Sequence, residues 1–321
     1  MRNDETAIDA AMGTEELPGR DVLDKATLQA LSERSDGPGL RRLAGHLAWI
    51  AATGWVLHMA YAAGGLWCAT ALVLHGFALV TLFAPTHEAG HATAFKTPWL
   101  GKAVAWCCGV ITLNNADFYR RFHHWHHRYT QVAGQDPELA RAKPHNWPTY
   151  LYRLAGLYYY KDRLSESLRV ALSRFDHPYI PDRAKPRLAW SARAQFAVYG
   201  AVLLLAVIEG TWAPLTYWLL PMICGQPILR AILLAEHTGC SEDRNGLTNT
   251  RTTLASWPVR FLMWNMPFHA EHHLYPAVPF HRLPDLHRLV AERVRHVTPS
   301  YPVAQKEIVA TFAPAPVSKA I

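Results

Sequence analysis

Two long stretches of this 321-residue chain contain no basic residue. Residues 43 to 95 hold no Lys or Arg and one acid, Glu88; residues 194 to 229 also lack Lys and Arg and hold only Glu209. A helix of a water-soluble domain keeps a charged or polar stripe. Its absence over such lengths argues against a water-soluble fold and fits segments surrounded by hydrocarbon. Cysteine is also scarce. Cys68, Cys107, Cys108, Cys224 and Cys240 form no CxxC pair, so neither a rubredoxin-type iron site nor a disulfide framework is expected, and the adjacent Cys107 and Cys108 read as small packing residues. The first 40 residues are polar and mixed in charge, with no cleavable leader in view. No internal repeat and no fused haem-binding electron donor are visible.

The net charge of +7 would suit a nucleic-acid partner, but the positions of the bases exclude that reading. Arg41, Arg42, Lys96, Lys102, Arg120, Arg121, Arg128 and Arg230 flank the apolar blocks, while the short turns inside the blocks carry none. That is the positive-inside pattern of a membrane protein. The first block, and the second when extended through "ILLAEH" to His237, are each long enough to cross a bilayer of about 30 Å twice. The expected fold is an all-α integral membrane protein with four transmembrane helices in two hairpins. The crossings fall at about 43–61, 66–86, 194–212 and 215–235, with turns at "YAAGG" and "EGTWAP". A cytoplasmic helical cap spans 117–190 and 238–298. Residues 1–42 form a cytoplasmic N-terminal segment, with a short helix near "LDKATLQALSER", and 299–321 a flexible tail. "LGKAVAWCCGVITLNN" is too short to cross and reads as re-entrant or interfacial.

Histidine is what the chain has in abundance, 18 in all. "HEAGH" places His87 and His91 one helical turn apart. "HHWHH" and "HAEHH" each contain an HxxHH spacing, giving His123, His126 and His127, then His269, His272 and His273. Positions i, i+3 and i+4 share a helix face. His237 stands alone at the end of the fourth crossing. With both termini inside, an even number of crossings precedes each cluster, so all nine histidines fall on the cytoplasmic side. Neutral imidazole suits Fe, Zn, Cu and Ni. Nine ligands are too many for one ion and enough for two, which makes the cap the carrier of a histidine-rich site for two metals.

"HEAGH", "HHWHH" and "HAEHH" in this order resemble the three histidine boxes of the membrane fatty acid desaturase superfamily, and His237 resembles the extra ligand before the third box. "TQVAGQDPEL" and "NMPFHAEHHLYPAVPFHRLP" resemble its bacterial branch. The likeness runs over about residues 45 to 290. It implies a non-haem di-iron centre, two Fe ions held by the nine histidines, which uses O2 and two electrons to attack an unactivated C–H bond. It further implies a lipid or lipid-like substrate entering from the membrane and a separate electron donor, a ferredoxin, a rubredoxin or a small haem protein with its reductase. The expected location is a bacterial inner membrane, with termini and active site cytoplasmic.

Desaturation of an acyl chain is the expected reaction. The alternative is hydroxylation of a lipid, a carotenoid or a small amine-bearing molecule. "HEAGH" also fits the HExxH pattern of zinc proteases, so an intramembrane zinc protease is a more distant alternative, but it leaves both HxxHH clusters unused. A metal transporter would need its ligands at the bilayer midplane. Glu88, His124, Asp136, Glu236 and Glu271 are expected to support ligands rather than bind metal, since a ligating histidine usually gives its other N–H to an acceptor. Asp117 is a further candidate for that task. His46, His58 and His75 are expected in the core or a tunnel wall, and His281 and His287 in capping or supporting roles.

Overall fold

The structure, a computed structural model, describes residue 19 and residues 21–312. It is mostly helical. A short helix α1 (Lys25–Leu31) is capped by Asp24, whose carboxylate accepts from the Thr27 N–H at 2.9 Å. Helix α2 (Asp36–Ala63) and helix α3 (Gly65–Val80) pack together across a turn at Gly64 and Gly65, both at positive φ. After a short break at Thr81 and Leu82 the chain continues as α4 (Phe83–Gly90), then α5 (Pro98–Ile111) and α6 (Ala116–Tyr129). Residues 147–171 form two helices, α7 (Trp147–Ala155) and α8 (Leu157–Ala171), broken at Gly156. Helix α9 (Lys185–Ile208) and helix α10 (Leu220–His237) follow. Helices α11 (Trp257–Leu262), α12 (His269–Leu274), α13 (Leu283–Val290) and α14 (Tyr301–Ala310) complete the described chain.

Among the described residues three helical segments are long and apolar enough to cross a membrane: Gly65–Gly90, Asp182–Ile208 and Leu215–His237. Helix α2, expected to hold the first crossing, is 28 residues long but is not among them. Its apolar run is diluted by Thr53, His46, His58 and glycines, and it begins with a charged first turn. The three histidines of the apolar helices are used as interhelical ties. His46 Nε2 sits 3.0 Å from the Ala78 carbonyl, His75 bridges Thr53 and the Tyr217 carbonyl, and His58 meets the Tyr217 hydroxyl at 2.7 Å.

Helices α3 and α10 approach most closely at two glycines. A Cβ on Gly76 would lie 1.8 Å from the Pro221 carbonyl oxygen, and one on Gly225 2.2 Å from the Gly76 carbonyl carbon. No side chain fits there, so the backbones themselves touch, as small residues permit in membrane helix pairs. This contact fixes the ends of the two segments that carry His87 and His237. By contrast, only 11% of the apolar window of Asp182–Ile208 is buried, and Leu203, Val207 and Ile208 stand exposed. Such a surface is unstable in water and stable against lipid.

Two features differ from the sequence reading. The fold is not wholly α: β1 (Arg251–Thr253) and β2 (His296–Thr298) form a two-stranded parallel sheet. The helical run that begins at Leu283 stops after Arg293, and residues 296–298 pair with residues 251–253. Nor is the whole of 299–321 a loose tail. Helix α14 packs on α10, buries Ala304 and Ile308, and is fastened by Gln305, which accepts from the Tyr150 hydroxyl and donates to the Ala231 carbonyl. Residues 1–18, 20 and 313–321, which include most of the expected N-terminal segment and the end of the expected tail, lie outside the described residues.

Candidate metal centre

Four chain segments converge on one buried point. The end of the Gly65–Gly90 segment brings His87, with His91 capping it. Helix α6 brings the second cluster. It starts at Asn115, whose side chain accepts from the Phe118 N–H at 2.9 Å while its amide donates to Gln195 on α9, so both the start and the rotation of α6 are set. With that register His123, His126 and His127 are all buried. Helix α10 ends on His237, and α12 carries the third cluster with its histidines equally buried.

One ring nitrogen from each of His87, His91, His123, His127 and His272 falls within 4.8 Å of the others, and so does one from each of His126, His237 and His273. His269 joins the second group: its Nε2 is 3.3 Å from His237 Nε2 and 3.1 Å from His273 Nε2. All nine sequence-predicted histidines are therefore brought together, as five and four. In the first group His123 and His127 meet at 2.9 Å, and His272 lies 3.2 Å from both His91 and His127, Nε2 to Nε2.

These spacings fit a metal. Two nitrogens each about 2.1 Å from one ion are about 3.0 to 3.4 Å apart for octahedral to tetrahedral angles. Hydrogen bonding does not account for the cluster. Both nitrogens of His87 and Nε2 of His126 are buried without a partner, and an unsatisfied buried polar atom costs about 1–3 kcal/mol. Burial holds His123, His127 and His273 well below the ordinary histidine range and His272 at about 3, with neighbouring histidines adding to the effect. They are therefore neutral, the form that ligates. For His126 burial opposes the charged form, but Glu138 and Asp136 outweigh it and lift the group to about 9.

The supporting residues divide. Asp136 accepts from His126 Nδ1 at 2.9 Å and from the backbone N–H groups of Gln131 and Glu138. That fixes the tautomer and leaves His126 Nε2 facing its group. Glu236 Oε2 lies 3.5 Å from His269 Nε2. His124 stays outside both groups, stacked on His91 at 5.3 Å with Nε2 on the Gly90 carbonyl. Glu88 and Glu271 do not orient a histidine of either group. Glu88 accepts from the Thr93 hydroxyl and the Phe280 N–H, and Glu271 holds His287 Nδ1 at 2.6 Å and the Thr252 hydroxyl. Their place next to a histidine in sequence puts them about 100° round the helix, aimed at other loops. Asp117 likewise engages Ser191 and Arg187. Sequence reasoning missed Thr130, whose hydroxyl is 3.2 Å from His273 Nδ1, and Asn249, whose carbonyl faces His237 Nδ1 at 3.2 Å. The Asn249 contact comes from a backbone atom, which no residue pattern marks.

A cavity of about 220 Å³ opens beside the two groups. His87, His123, His126, His237 and His269 line it together with Phe83, Tyr119, Phe122 and Met266.

Fold and site define a protein with three helical segments long and apolar enough to cross a membrane and a buried polyhistidine cluster that could hold metal. Residues 60–304 match the sequence profile of the fatty acid desaturase family, and the chain belongs to that family. It is similar to a sphingolipid delta(4)-desaturase-like protein of Oryza sativa subsp. japonica, at 26% identity over 68% of this chain and 60% of that one. It is also similar to a sphingolipid delta(4)-desaturase of Drosophila melanogaster, at 24% identity over 74% and 67%. A third relative is the sphingolipid delta(4)-desaturase/C4-monooxygenase of Mus musculus, at 23% identity over 76% and 68%. The chain thus spans about 60% of the length of the rice relative.

Proposed function

We propose that this protein is a membrane di-iron oxidoreductase that uses O2 and two electrons to desaturate an acyl chain or similar lipid. The observation that carries the reading is the division of nine histidines into two adjacent nitrogen groups on the wall of one cavity. His87, His91, His123, His127 and His272 would hold one iron, and His126, His237, His269 and His273 the other. Bound there, redox-active iron with O2 supplies the oxidising power that an unactivated C–H bond requires. The chain's own part is positional: Asp136, Thr130 and the Asn249 carbonyl hold three rings in place, while Phe83, Tyr119, Phe122 and Met266 supply apolar wall to a cavity that charged residues also line.

The same reading extends to topology. Residues 43–298 form the membrane desaturase-like unit, with α2 as a fourth crossing beside the three apolar segments, arranged as two hairpins. Loops 117–190 and 238–298 form a cap on the cytoplasmic face of a bacterial inner membrane, with both termini on that side. The electrons come from a separate ferredoxin, rubredoxin or small haem protein with its reductase. Hydroxylation is the second reading, supported by the mouse relative, whose name joins a desaturase to a monooxygenase. A zinc protease is not favoured. The carboxylate of Glu88, which would serve as its general base, is spent on Thr93 and Phe280.

The test is mass analysis of lipids from cells expressing the protein with a reductase system, with and without O2. A product two mass units lighter than its substrate supports desaturation, and one sixteen heavier supports hydroxylation. Product formed equally without O2 refutes both.

A further inference from the structure

Glu236 is a buried acid whose surroundings offer it no hydrogen-bond donor. It sits in the last turn of α10, beside His237 and at the negative end of the helix dipole, where an anion is disfavoured. Its Oε1 is buried without a partner, and no Lys or Arg pairs with it among the described residues. The other oxygen, Oε2, lies 3.5 Å from His269 Nε2.

The far sides of the neighbouring rings fix which nitrogen carries the proton. His237 Nδ1 faces the Asn249 carbonyl, which can only accept. Thr130 spends its one hydroxyl hydrogen on the His126 carbonyl at 2.7 Å, so it too accepts, from His273 Nδ1. As neutral imidazoles, His237 and His273 are therefore protonated on Nδ1 and present a bare lone pair at Nε2. Those two nitrogens stand 3.3 and 3.1 Å from His269 Nε2, and Glu236 Oε2 is the third acceptor around the same atom. A proton on His269 Nε2 can serve one of the three. An imidazolium there would strand its second proton on Nδ1, which is buried without a partner.

A cation among the four atoms serves all of them at once. Two donors each about 2.1 Å from one ion are about 3.0 to 3.6 Å apart at angles of 90 to 120°. The separations of 3.1, 3.3 and 3.5 Å all fall in that range. Glu138 is not equivalent. It lies 3.8 Å from His126 Nε2 with its side chain 39% exposed, so water can serve its oxygens.

We infer that Glu236 is a metal ligand, which gives the four-histidine position a carboxylate oxygen as its fifth donor. The two positions are then chemically unlike, because the five-histidine group contains no carboxylate. An ion held by four imidazoles and one carboxylate carries one positive charge less than the same ion held by five imidazoles. The inference rests on the proposed pair of metals and adds a donor that the histidine boxes do not mark.

Cobalt(II) provides the test, since its visible bands respond to the number and kind of its donors. The purified full-length protein, stripped of metal and held in neutral detergent, is titrated with Co(II) in competition with a chelator. The parent should bind two ions. Glu236→Gln keeps an oxygen that can accept a hydrogen bond and removes the anionic donor. A ligand role predicts shifted bands and at least about tenfold weaker binding for one of the two ions, whereas a role as hydrogen-bond acceptor predicts the parent spectrum. In Glu236→Ala the same shift is expected, and formate, which can enter the cavity that Glu236 lines, should return the bands toward those of the parent. Melting curves monitor folding, and if one variant fails to fold the other carries the test. Parent-like bands with affinity within about threefold in a folded variant overturn the inference, as does a Glu236→Ala spectrum that formate leaves unchanged. A parent that binds no cobalt refutes the metal centre and the ligand with it. Two bound ions indifferent to Glu236 refute the ligand alone, and a Glu236-dependent spectrum in a protein that never oxidises a lipid refutes the proposed activity alone.

Discussion

His127 and His273 stack face to face, ring centroids 4.0 Å apart and planes within 16°. They are far apart in sequence, on α6 and α12, and they belong to different nitrogen groups, His127 to the five and His273 to the four. The two candidate metal positions therefore share a wall made of these two rings, and loss of either ring disturbs both positions.

Loss of a single ligand ring should separate from loss of the shared wall. His237→Ala is expected to reduce bound metal from about two ions per chain to about one, whereas His127→Ala or His273→Ala should leave markedly less than one. His124→Ala, outside both groups, should retain both ions. Plasma emission measurements on purified variants decide this; two ions retained in His272→Ala would remove the five-histidine assignment.

Asp136→Asn keeps the shape of the side chain and removes its charge. Supporting carboxylates of this kind are worth about 10- to 100-fold in metal affinity, so competition with a chelator should show a loss of that order for one of the two ions. Glu88→Ala removes no contact to a histidine of either group and should leave metal affinity within about threefold while lowering stability by roughly 1–3 kcal/mol, because the Thr93 hydroxyl and the Phe280 N–H lose their buried acceptor. The reverse order of effects would invert the roles assigned to the two acids.

Gly76→Val is expected to be far worse than its size suggests. The added carbons meet the Pro221 carbonyl and the Gly225 backbone, and forcing helices α3 and α10 apart should cost at least about 3 kcal/mol. In detergent the melting temperature should drop by several degrees and both ions be lost together. Gly200→Val, where a Cβ meets nothing within 4 Å, is the control and should melt like the parent.

The nine histidines were legible as candidates because HxxHH and HxxxH place residues on a shared helix face, but their division between two nitrogen groups was not, since each HxxHH box contributes to both. What could not be read are contacts set by tertiary aim. Glu88 and Glu271 sit beside ligand candidates in sequence yet point elsewhere, while Thr130 and the Asn249 carbonyl reach the rings from positions without a motif. The strand pair 251–253 with 296–298 was invisible for a related reason. Three residues are too few to show a period, and their partner lies 45 positions away. The charge-free blocks located the apolar segments, but α2, whose polar residues serve as ties to its neighbours, falls short of the hydropathy of the other three segments.

Topology has its own check. Single cysteines placed at Gly64 and Gly210, in a background lacking the native five, should react with an impermeant thiol reagent from the periplasmic side, and one at His145 should react only after the membrane is opened. Labelling of position 145 in intact cells would reverse the orientation proposed for the cap.

The count of iron per chain tests the central claim most directly. After anaerobic reconstitution and removal of loose metal, the protein should retain close to two iron ions per chain, falling to about one in the His126→Ala/His237→Ala double variant. A parent protein that retains only one ion, or none, would contradict the account.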